Sequence, residues 1–97
     1  MTNNELFSYM ELISHPTRFK FIQAAVHRGF FTTDLPVYEE SKAAWFHLSK
    51  LREHNLFVSD DEEGSGPVRI SWHVNEGLLR EILNEITTRF LCEQINF

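Results

Sequence analysis

Between residues 39 and 56 the chain runs EESKAAWFHLSKLREHNL. Ala44, Leu48 and Leu51 recur at helical spacing and share one face, with Ser41 beside them. Asn55 comes next, a residue that tolerates the left-handed conformation ending many helices. The spacing therefore predicts a helix over 39–54, apolar on one side only. A helical wheel sets Phe46 nearly opposite Leu48, ringed by Lys42, Ala43, Ser49, Lys50 and Glu53. Trp45 falls at the edge between the two faces. A large aromatic ring on the outward side of a helix points to a contact surface.

Downstream, Leu56–Ser59 reads as a short strand and residues 60–67 as a polar, glycine-containing tip. Val68, Ile70, Trp72 and Val74 then alternate with Arg69, Ser71 and His73, the pattern of a half-buried strand. Asn75 is placed to cap a last helix, with Glu76 in its first turn. Leu78, Leu79, Ile82, Leu83, Ile86, Phe90 and Leu91 give that helix an apolar stripe wider than one small domain needs.

Upstream, residues 4–13 read as a helix capped by Asn3 or Asn4, with Leu6, Phe7, Met10 and Ile13 on its apolar face. His15-Pro16 breaks it, and Pro16 suits the first position of a second helix reaching about His27. Phe19, Ile22, Ala25 and Val26 are its expected apolar face, and Gly29 its stop. Residues 30–38, FFTTDLPVY, read as one helical turn or an irregular loop around Pro36.

The order helix, helix, short turn, helix, hairpin, helix defines a mainly α fold with a β-hairpin wing, a single winged helix-turn-helix domain over 1–97. Two segments resemble the ArsR-type transcriptional regulators. Ser14-His15-Pro16-Thr17-Arg18-Phe19-Lys20-Phe21-Ile22 is similar to the opening of that family's second helix. Ala43 to Leu56, AAWFHLSKLREHNL, is similar to its recognition helix, where a polar segment leads into His-Leu-x-x-Leu-Arg. The resemblance covers about residues 5–92.

The resemblance implies a cytoplasmic homodimer joined through its first and last helices. Leu6, Phe7, Met10, Leu79, Ile82, Leu83, Ile86 and Phe90 are the expected dimer residues. It also implies one helix in a DNA major groove, a wing beside it and a palindromic operator read about the two-fold axis. Many such proteins repress transcription until an effector releases them. The DNA-facing residues are then Lys42, Ala43, Trp45, Phe46, Ser49 and Lys50, with Arg69 of the wing. Lysine contacts phosphate or guanine, and an apolar ring touches a thymine methyl. Each residue also has a plainer reading: Lys42 and Lys50 as solvated charges, Trp45 as core, and Arg69 as the partner of Asp60 or Asp61 across the hairpin.

The chain departs from the family in three places. The segment before the recognition helix is short and holds Pro36. Glu39 and Glu40 suit a helix N-terminus but repel phosphate. The wing tip, DDEEGSGP, is acidic. Net charge is −5, against the basic balance that captures nucleic acid by counterion release. These features motivate the alternative: a winged helix turned to protein recognition, or a DNA mimic, using the acidic wing and Phe46 on a basic protein partner.

The remaining composition narrows the classes. A 97-residue chain has a marginal core of its own, and its one cysteine, Cys92, permits no intrachain disulfide. Oligomerisation is the expected aid, with Cys92 read as an inert interface thiol. The family's metal-binding cysteines are missing, Thr32-Thr33-Asp34 standing in their region, and His15, His27, His47, His54 and His73 are scattered without ligand spacing. No metal or cofactor is expected. No phosphate loop, nucleophile elbow or catalytic carboxylate pair is present, so the chain does not read as an enzyme. The first residues lack the basic start and apolar run of a signal peptide, and no membrane partner is expected.

Overall fold

Helix α1 (Asn3–Ser14) starts on Thr2, one residue before the expected caps. The Thr2 hydroxyl accepts from the Glu5 amide, and the Glu5 carboxylate accepts from the Thr2 amide, each at 3.1 Å. This capping box satisfies two donors that asparagine alone would leave half served. The computed structural model describes residues 1–31, 41–62 and 69–91. His15, in extended conformation, ends α1 and caps α2 (Pro16–His27), its Nδ1 accepting from the Thr17 amide.

The inward face of α2 is Arg18, Phe21, Ile22 and Ala25, at spacings of three and four. Phe19, expected inside, is instead 48% exposed, because it lies one residue off this face. Leu12 of α1 joins the same core and had no place in the expected pattern. Arg28 leaves α2 in extended conformation. Gly29 is thus not a left-handed stop, and no glycine among the described residues has positive φ.

Beyond α2 the chain forms a strand, β1 (Phe30–Phe31), where the sequence predicts a helical turn or loop. The rest of that segment, with Pro36, Glu39 and Glu40, lies outside the described residues. β1 pairs antiparallel with β3 (Arg69–Val74), Phe30 opposite Trp72. β2 (Phe57–Glu62) pairs with the other edge of β3, running from Phe57 opposite Val74 to Glu62 opposite Arg69. The sheet order is β1-β3-β2. β2 therefore extends through Asp60–Glu62, which the sequence pattern places in the tip; residues 63–68 are outside the described set.

Alternation along β3 buries Trp72 completely and leaves His73 exposed. The Trp72 ring meets those of Phe57 and Trp45, while Phe30 bridges Phe21 and Phe57. Leu48 and Leu51 of α3 (Ser41–Glu53) are fully buried against this aromatic layer. Each such burial contributes about 1.5–3 kcal/mol. α4 (Glu76–Leu91) closes the fold through Ile82. Arg89 stitches α4 to the start of α1, hydrogen-bonding Asn3, the Met1 carbonyl and Glu85.

Candidate nucleic-acid interface

α3 presents one face to the core and the other outward. Its end is fixed by the chain itself. The Leu56 amide donates to the Leu51 carbonyl at 2.9 Å, the Asn55 amide to that of Arg52 at 3.0 Å, and Asn55 has φ 62°. This is a Schellman closure, with the buried Leu51 and Leu56 as its apolar pair. The His54 ring adds a bond to the Lys50 carbonyl. Arg52 then braces the helix end against the hairpin, its guanidinium over the Trp72 ring and bonded to Ser59.

Asn75 joins these parts. Its amide donates to the Leu56 carbonyl, its side-chain nitrogen to the Asn55 carbonyl, and its side-chain oxygen caps α4 through Leu78. The end of α3, the base of the hairpin and the start of α4 are thereby one rigid junction. A helix and wing meant to act together on one surface need such a junction.

Of the residues expected on the DNA face, Ala43 and Phe46 are exposed, and Ser49 and Lys50 are half-buried. Phe46 keeps 56% of its surface in solvent, and the Lys50 ammonium sits 5.3 Å from its ring centroid. A cation over an aromatic face is mildly favourable and orders both side chains. Trp45 is half-buried with its ring edge-on to Trp72 at 5.8 Å, so it serves mainly as packing. Lys42 lies in the first turn of α3, and Arg69 opens β3 opposite Glu62, not opposite Asp60 or Asp61.

The expected dimer residues divide into three sets. Leu6 and Ile82 are buried in the subunit's own core, at 1% and 0% exposure, and have no surface left for a partner. Phe7, Leu83 and Phe90 are more than half exposed, and Leu91 joins them at 75%. Met10, Leu79 and Ile86 pack partly against the core beneath. Cys92 is outside the described residues.

Arg18 has no expected role in the sequence pattern beyond its place in the family-like segment. It is buried at 8% exposure, with Nε bonded to the Leu12 carbonyl and Nη1 3.1 Å from Nδ1 of His47. The His15 ring lies against that of His47, centroids 4.3 Å apart. The signal for Arg18 was its position, three and four residues before Phe21 and Ile22 on the inward face. Among the described residues no three His, Cys, Asp or Glu are grouped to hold a metal, and no helix is long and apolar enough to cross a membrane.

No protein-family model and no curated protein matches the sequence. Solved structures do match the fold. An ArsR-like transcriptional regulator from Rhodococcus sp. RHA1 superposes with a TM-score of 0.66 over 93% of this chain and 82% of that one, at 20% identity. The crystal structure of M. tuberculosis Rv0081 gives a TM-score of 0.62 over 92% of this chain and 91% of that one, at 16% identity. The architecture is thus a winged helix-turn-helix, similar over nearly the whole chain to that of these two proteins.

Proposed function

We propose that the chain is a DNA-binding transcriptional regulator, acting as a homodimer on a palindromic operator and repressing where that operator overlaps a promoter. The observation that carries this reading is the outward face of α3. Ala43 and Phe46 stand away from the core, with the half-buried Lys50 beside Phe46, on a helix anchored to a hairpin wing. The Rhodococcus protein of like fold is named a transcriptional regulator, which supports the same assignment. In this reading α3 enters the major groove, Lys42 and Lys50 meet phosphate or guanine, and Phe46 meets a thymine methyl. Ser49 reaches a base edge, and Arg69 brings the wing to the flanking backbone. The exposed Phe7, Leu83, Phe90 and Leu91 belong to the subunit interface.

Lys50→Ala should weaken operator binding and lower the salt slope by about one phosphate contact. Phe46→Ala should relax preference at a single base pair, by about 1–3 kcal/mol. Titration of both variants across salt concentrations checks this. Unchanged affinity and slope in Lys50→Ala would remove α3 from the groove.

A second reading rests on β2, which carries Asp60, Asp61 and Glu62 in succession beside the 49%-exposed Val58. In it the acidic strand holds a basic protein partner. Charge reversal of those three residues would then abolish partner capture while leaving any DNA affinity intact or raised.

A further inference from the structure

No described carboxylate stands within ion-pair distance of Arg18. Its guanidinium is buried, and its two bonds go to the Leu12 carbonyl and to Nδ1 of the His47 ring. The ion pairs among the described residues centre on Glu85, far along α4. Nη2 of Arg18 has no partner among them. Among the described residues no buried side-chain nitrogen is left unserved, so Nη2 is not fully enclosed. Arg18 also lines a polar cleft of about 160 Å3 between α1, α2 and the end of α3, together with Ser8, Glu11, Leu12, Lys50 and His54.

Buried charges in proteins are normally paired or fully hydrogen-bonded. A planar guanidinium with an unspent N–H edge is matched to an oxyanion. Lys50 lines the same cleft, and its ammonium is otherwise engaged only by the Phe46 ring among the described residues. The cleft also holds acceptors. Glu11 is one. His54 also lines it, and in the tautomer that donates Nδ1–H to the Lys50 carbonyl its Nε2 carries a lone pair. The Ser8 hydroxyl spends its proton on the Asn4 carbonyl and offers lone pairs only. A ligand made solely of acceptors meets repulsion there, whereas one carrying its own O–H does not.

We propose that this cleft binds a small oxyanion that keeps a hydroxyl, of the hydrogen phosphate class. Arg18 and Lys50 hold the anionic oxygens, and Glu11 accepts from the ligand's hydroxyl. Lys50 is common to this cleft and to the proposed DNA face, so the test contains no DNA.

The ¹⁵N-labelled chain is titrated with inorganic phosphate, and separately with sulfate, at fixed ionic strength and neutral pH. Saturable amide shifts around Ser8, Glu11, Arg18, Lys50 and His54 are expected with phosphate, and weaker ones with sulfate, which has no proton to give. Lys50→Ala should weaken phosphate about tenfold, the equivalent of one charge-assisted hydrogen bond. Arg18→Lys keeps the buried charge but removes the fork, and should weaken it as well. Glu11→Gln, on the exposed side, should narrow the gap between phosphate and sulfate without touching the core. A folded wild-type chain with no saturable phosphate response overturns the proposal. So does an equal response to sulfate, or unchanged affinity in Lys50→Ala.

Discussion

A Cβ on Gly29 would stand 2.3 Å from the His73 ring and 2.7 Å from the Trp72 carbonyl oxygen. The ring can swing into solvent, but the carbonyl belongs to the central strand and cannot. Gly29→Ala should therefore cost about 1–3 kcal/mol, as overpacking does. Urea denaturation measures it, and adding His73→Ala should restore only part of the loss. The sequence made Gly29 visible as a break after α2, but its reason is the approach of β1 to β3, which is a tertiary fact. Asn55 is the opposite case. Its left-handed φ was legible because a local closure needs such a residue directly after the last helical turn. Arg18 was hidden by its type, since arginine reads as surface even on an inward face. Trp45 and Phe46 are adjacent aromatics in sequence, yet only their helical phase sends one toward Trp72 and the other outward.

Helices α2, α3 and α4 were readable because each repeats its apolar face over at least two turns, and the alternating β3 was equally plain. β1 was not, because two residues carry no periodicity and become a strand only through pairing with β3. Helix α1 was readable in extent but not in its cap. That cap has a pH signature. The Thr2 amide bonding the Glu5 carboxylate, followed by the Thr2 hydroxyl, holds Glu5 below the ordinary glutamate value. A lowered folded-state value means stabilisation that is present above the unfolded pKa and lost as pH falls through the folded one. The first turn of α1 should fray on acidification below about pH 4, near the ordinary range of a free glutamate. Amide exchange at Glu5 and Leu6 reads this directly, and Glu5→Gln should flatten the pH dependence. Exchange that is equally pH-dependent in Glu5→Gln would assign the fraying elsewhere.

At the scale of the whole molecule, the exposed apolar residues of α1 and α4 require a cover. Phe7, Leu83, Phe90 and Leu91 are each more than half in solvent, more than scattered surface residues explain. Under the proposed function that cover is a second copy. Leu83→Glu with Phe90→Glu should give a folded monomer by sedimentation with an unchanged helical signal, and should cost operator binding because half-sites are read in pairs. The sequence pattern pointed to this face but could not separate it from the core beneath, since Leu6 and Ile82 share its stripe and turn inward. The net charge of −5 sets the sharpest demand on DNA binding, because affinity must come from local cations on α3 and the wing rather than from overall charge. Selection of the purified dimer on random duplex DNA across a salt series meets that demand directly. The predicted result is an enriched palindrome, bound by a dimer, with affinity falling as salt rises. A folded dimer that enriches no sequence even at low salt would contradict a DNA-reading role.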